Sequence, residues 1–142
     1  MTTRAELNAI RDLLETNDSI KGRVFVSQAY DDQGKPLLDV PYWVIHPAGG
    51  SDHQTRLTGD YAEHTASFVI HSVNEDADGV LWAGERVDET LRPDGRGVAP
   101  VVGGRRTEPL RRDALLPVQV DTDPSPSLLY QPAEYSYTSS PA

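Results

Sequence analysis

Between Phe68 and Val87 the hydrophobic period of the chain changes with no linker between the two halves. Phe68, Ile70 and Ser72 alternate with Val69, His71 and Val73, the two-residue repeat of a pleated strand rich in branched and aromatic side chains. Beyond them Val80, Ala83, Val87 and Leu91 recur at helical spacing. Asn74 stands where a cap is needed, and Glu75, Asp76 and Asp78 load the positive end of the helix dipole. The pattern predicts a long central strand over 61–73 that runs straight into a helix over 76–92. Gly79 and Gly84 lower that helix's intrinsic stability by about 1 kcal/mol each relative to alanine, so packing has to hold it.

Upstream, Thr3 and Glu6 have capping-box spacing, and Leu7, Ile10 and Leu14 mark one face of an amphipathic helix ending near Glu15. A turn over 17–21 leads to a short strand at Val24, Phe25 and Val26. A polar loop over 31–36 then precedes a strand over 40–45, whose start Pro41 sets at an edge or bulge. Residues 47–59 hold three glycines and few apolar anchors, which reads as a long excursion carrying a working surface. Downstream, 97–102 is strand-like, Gly103 and Gly104 turn the chain, and an apolar series runs from Leu110 to Val120. Residues 121–127 break it, and 128–137 form a closing strand interrupted by Pro132. The pattern gives one domain over 1–138 and a polar tail over 139–142.

Composition narrows the function. The chain of 142 residues is one domain's worth, and 37% hydrophobic residues is lean enough to suggest that neighbouring copies complete its buried surface. No cysteine is present, which excludes disulfides, thiolate metal sites and cysteine nucleophiles. A formal charge of -9 argues against a surface that grips nucleic acid through its phosphates. The sign is segregated, however: six arginines fall between Arg92 and Arg112, while 75–89 is mostly acidic. Such polarity favours docking between copies. No apolar run approaches the roughly 20 residues needed to cross a bilayer, and MTTRAEL has no signal-peptide core, so a soluble, non-secreted protein is expected.

The candidate chemistry is thin. His46, His53, His64 and His71 invite a metal site, but His64 and His71 are an odd number of positions apart on one predicted strand and point to opposite faces. No GxSxG elbow surrounds Ser51 or Ser72. Gly103-Gly104-Arg105-Arg106 lacks the spacing and the following helix of a phosphate cradle. The pairs Arg105-Arg106 and Arg111-Arg112 do carry forked hydrogen-bonding capacity suited to an interface. Glu85 and Asp88 on the acidic helix are their natural partners on an adjoining copy, the alternative being a solvated charged face. Of Trp82 within the helix, Trp43 and Tyr42 on a strand, and Tyr130, Tyr135 and Tyr137 on the closing strand, most read as core. Tyr135 and Tyr137 share a strand face beside the tail and suit a contact surface.

Several segments come in a recognisable order: His46-Pro47, Gly50-Ser51, Arg56 to Gly59, Phe68 to Val73 running into Leu81-Trp82-Ala83, Arg86-Val87, Gly104-Arg105-Arg106, Pro109 to Arg112, Val118, Asp121 to Asp123, and Leu129-Tyr130. In that order and spacing the chain resembles the small tail terminator, or tail completion, proteins of long-tailed phages infecting actinobacteria. The resemblance covers most of the chain. It implies an α+β fold, a mixed and mostly antiparallel sheet with two main helices packed on it. It also implies a six-membered ring that caps the finished tail tube, halts its growth and offers the docking surface for the head connector.

The implied partners are further copies of the chain, the tail tube protein and the head–tail connector or stopper. DNA would pass through the lumen without specific binding, and no membrane, cofactor or enzymatic activity is expected. The implied location is the tail–neck junction of the virion, and the host cytoplasm during assembly. The 47–59 excursion, with Ser51, His53 and Arg56, is the expected partner-facing loop. One departure is Gln131-Pro132-Ala133, where the family tends to carry an unbroken strand with an acidic residue. Two alternatives are a head-completion or stopper protein of the neck, and a small-ligand enzyme of mixed fold. The enzyme would bring His46, His53 or His71 together with carboxylates in a deep cleft.

Overall fold

The computed structural model describes residues 3–35, 37–54, 61–122 and 127–141, with backbone only at positions 3, 49–54, 61 and 62. Its elements in chain order are helix α1 (Thr3–Leu14), strand β1 (Val24–Val26), β2 (Tyr42–Gln54), β3 (Tyr61–Asn74) and helix α2 (Ala77–Leu91). The strands β4 (Arg105–Thr107), β5 (Arg111–Leu115), β6 (Gln119–Asp121) and β7 (Leu128–Pro141) complete it. The fold is α+β. Seven strands form one sheet in the order β1-β2-β3-β7, and β4, β5 and β6 take successive stretches of the far edge of β7. Every pairing is antiparallel except that of β1 with β2.

Both helices lie on one face of the sheet, as the alternation requires. Trp43, Ile45, Phe68, Ile70, Ala133, Tyr135 and Tyr137 point to that face and bury against Ile10 and Leu14 of α1 and Ala83, Val87 and Leu91 of α2. The intervening residues Tyr42, Val44, Val73 and Leu128 form a smaller apolar cluster on the opposite face, where Leu37 and Val40 of the β1–β2 connection pack over them. At the close of the α2–β4 connection Gly103 and Gly104 make the expected turn, and Gly104 has a φ of 72°, where a Cβ is disfavoured.

Several expectations are corrected. The cap of α2 is Asp76, whose carboxylate accepts from the Gly79 amide at 2.6 Å. Asn74 is the last residue of β3 and folds back on the neighbouring Glu75 amide instead. Of the expected excursion over 47–59, residues 47–54 are strand: β2 continues to Gln54, which pairs with Tyr61 of β3, and Gly49 and Gly50 are absorbed at a register shift between Pro47 and Gly50, while 55–59 lie outside the described residues. Residues 97–102 are irregular rather than strand, held by Val98 donating to the Leu91 carbonyl and Leu110 donating to that of Val98.

Pro132 does not interrupt β7. It sits in register with His71, and its carbonyl accepts from Leu116 at 2.9 Å, so the lost amide falls where the ladder tolerates it. The strand also runs to Pro141, through the serines that composition marked as a tail; Ser139 is buried. The Thr3 side chain of the expected capping box lies outside the described residues. Glu6 lies on the same stripe as Ile10 and Leu14 and is fully buried, its carboxylate 3.2 Å from Nε2 of His64 on β3. Trp82 faces outward, 39% exposed, with the Arg86 guanidinium 5.6 Å from its ring.

Candidate functional site

The helix-free face of the sheet carries a hollow of about 560 Å³. Its floor follows from strand register: Val44 of β2 opposes His71 of β3, and His46 opposes Val69, so both imidazoles project to the same face as Tyr42 and Val73. The two rings lie 4.4 Å apart between centroids, and Tyr130 of β7 stacks on the other side of His71 at 4.9 Å. Tyr30 from the β1–β2 connection and Asp121 at the end of β6 form opposite walls. No lysine or arginine stands among the described lining residues.

Burial and then the adjacent His46 push the His71 imidazole down to about 4, and burial lowers His46 in the same direction. Burial and the Asp121 charge raise the Tyr42 phenol. At neutral pH the floor is therefore uncharged, with aromatic and imidazole faces and one carboxylate at the rim.

A titration consequence follows. An unfolded chain takes up a proton at His71 near 6.5, whereas the folded chain resists until about 4. Within that window the unfolded state binds more protons. Stability is therefore complete above about pH 6.5, declines as pH falls, and stops declining on this account below about pH 4. Denaturant midpoints measured across that range should slope less in His71→Gln than in the parent chain; equal slopes would show that His71 is solvated in the folded state.

On the opposite face, a groove of about 290 Å³ separates α2 from β5, and exposed Leu81 and Leu115 form its rims. Asp88 closes its floor. Arg92 donates to it from Nε at 2.8 Å, Tyr135 donates its hydroxyl at 2.9 Å, and Arg112 approaches to 3.6 Å. Burial alone would raise the Asp88 carboxyl, but the bonds from Arg92 and Tyr135 and the Arg112 charge outweigh it and hold it below its ordinary value. The Arg112–Asp88 pair expected between copies is thus made within one chain.

Tyr135 and Tyr137 belong to the core, 1% and 0% exposed, with the Tyr137 hydroxyl on the Glu6 carbonyl at 2.9 Å. The polar residues alternating with them, Glu134 and Ser136, were the sequence signal that the tyrosines face inward. Glu85 is exposed on α2, near Arg86, which reaches Glu89 at 3.1 Å. Arg105 turns toward Ser139, donating to its hydroxyl at 3.2 Å and its carbonyl at 3.0 Å. Arg106 and Arg111 are exposed, the latter donating to the Ser136 hydroxyl at 3.3 Å. Ser51 and His53 fall in β2, not in a loop, and their side chains, like all of Arg56, lie outside the described residues.

The chain shares its fold with a chain in the virion of a native gene transfer agent particle. That superposition has a TM-score of 0.66, spans 94% of this chain and 92% of the other, and runs at 16% identity. A second solved structure superposes with a TM-score of 0.51 over 94% of both chains, again at 16% identity. At that identity the likeness is one of fold. No protein family and no curated protein matches the chain in sequence.

The histidine convergence that an enzyme would need is present in part, since His46 and His71 share the hollow with Asp121. Ser72 is on the opposite face, buried beneath α2, and His64 is there too, engaged with Glu6. A base that protonates only near 4 is poorly matched to proton abstraction at neutral pH. Among the described residues no group of three or more histidine, aspartate or glutamate side chains is gathered as metal ligands would be.

Proposed function

We propose that the chain is a structural part of a phage-like virion: a ring-forming tail terminator that caps the tail tube, halts its polymerisation and presents the docking surface for the head connector. The observation that carries this reading is the whole-chain likeness of fold to a component of the gene transfer agent virion. The ordered segments quoted above and the segregated charge support it. Its partners are then further copies of the chain, the tube protein and the connector or stopper, at the tail–neck junction. An acidic lumen would let DNA slide past without phosphate neutralisation. Arg105, Arg106, Arg111 and Glu85 remain the residues proposed for contacts between copies. Ser51 and His53, in the far half of β2, and Arg56, which lies outside the described residues, are proposed to meet a partner.

The decisive experiment assembles tail tubes from purified tube protein with and without this chain and measures them by electron microscopy. Tubes of unregulated length without it, and stopped tubes with a ring at one end when it is present, are expected. Indistinguishable length distributions and bare tube ends in both samples would overturn the reading. A ring found on the connector side of assembled necks would instead identify a stopper.

A further inference from the structure

The helix-free face is chemically polarised along β7. At one end lies the hollow, whose described lining offers Tyr30, His46, His71 and Tyr130 rings and the Asp121 carboxylate, with no cationic side chain. At the other end Arg106 is paired in register with Ser140 and Arg111 with Ser136. Ser136 and Ser140 share the pleat side of Tyr130, so both arginines belong to the face that holds the hollow, about 20 to 30 Å away along the strand. Arg105 and Arg112 alternate with them, belong to the helix-covered side, and are held there by Ser139 and Asp88.

We propose that this face carries a head-to-tail contact between copies of the chain, in which the exposed guanidinium groups of Arg106 and Arg111 of one copy seat in the Tyr30–His46–His71–Tyr130 hollow of the next. The chemistry is complementary. A guanidinium is planar and weakly hydrated, stacks on aromatic faces, and gains from a carboxylate at the rim. Neutral imidazoles beside it add no repulsion, whereas a phosphate or a carboxylate ligand would meet Asp121 and no cationic side chain among the described lining residues. The donor and acceptor ends are different patches of one face; engaged one way, as proposed here, the contact is heterologous and generates a ring when its rotation closes, whereas reciprocal engagement of both ends would give a twofold dimer. Only the identity of the assembled ring as a tail cap rests on the function proposed above.

The absence of cysteine makes the test clean. Gly103 stands beside the arginine end with open space around its Cα and an ordinary φ, and Thr122 is exposed on the rim of the hollow. Full-length Gly103→Cys and Thr122→Cys chains are mixed and oxidised, and the disulfide heterodimer is compared with that from Gly103→Cys mixed with Asp94→Cys, an exposed position on the α2–β4 connection. The expected result is about tenfold more heterodimer from the first mixture, falling to the control level when the Gly103→Cys chain also carries R106E and R111E.

Equal yields in the two mixtures, or a yield indifferent to the double charge reversal, would overturn the contact. The tube-assembly result is independent of it. Capped tubes without the cross-link would remove this contact and keep the terminator, and cross-linking without length control would do the reverse.

Discussion

Replacing Trp43 with alanine is expected to lower stability by about 3 to 5 kcal/mol, a fall in melting temperature on the order of 10 to 20 °C. The indole is fully buried between β2 and α2, so its removal leaves a large void in the layer where helix and sheet meet. It also donates its Nε1–H to the Ala83 carbonyl at 3.0 Å, a polar tie from the start of β2 to the middle of α2. Trp43→Phe keeps most of the volume and loses that bond, and should cost about 1 to 3 kcal/mol. Trp82 is the control. It is the same residue type on the outward side of α2, and Trp82→Ala should stay within about 1 kcal/mol of the parent. Equal losses at the two tryptophans in thermal melts would mean that α2 presents a different face to the sheet.

Gly97→Ala is expected to be nearly as damaging, at about 3 kcal/mol, although it adds a single methyl group. A Cβ at this position would overlap the Leu110 carbonyl oxygen and stand 2.7 and 2.8 Å from that residue's N and C atoms. All three neighbours are backbone, so none can swing aside. The approach is fixed from both sides by Val98 donating to Leu91 and Leu110 donating to Val98, each at 2.9 Å. Relief requires the connection from α2 to β4 to separate from the start of β5. Gly103→Ala offers the contrast, because nothing lies within 4 Å of its Cβ and the change should be close to neutral. A neutral Gly97→Ala in denaturant titrations would show that 97 and 110 do not touch.

Hydrophobic period made α2 and the long β3 legible, because both carry the apolar repeats of half-buried elements over many residues. The fold class followed from them. The far half of β2 was not legible: its glycines and polar residues read as a loop, and its strand state depends on β3 supplying a partner, which no local propensity reports. The same dependence hid the hollow. His46 and His71 meet only because the hairpin sets Val44 against His71, and register across a hairpin cannot be counted when its first strand is read as an excursion.

The burial of Glu6, by contrast, was readable and passed over. Its place four residues before Ile10 puts it on the buried stripe, and the capping-box motif drew attention away from that geometry. Arg112 and Arg111 are adjacent in sequence yet differ in fate because a strand alternates: one pairs with Asp88 beneath α2, the other is exposed on the opposite face beside Ser136.

Because β7 is bordered by β3 along one side and by β4, β5 and β6 along the other, one edge of β3 and the three short strands translated earlier wait for the strand translated after them. On the ribosome the hairpin of β2 and β3 can zip early, but the three short ribbons have nothing to hydrogen-bond until residues 128–141 leave the exit tunnel. Folding is thereby a late, nearly all-at-once event, and nascent chains stalled before Leu128 should be open to proteases over the region from Arg105 to Asp121.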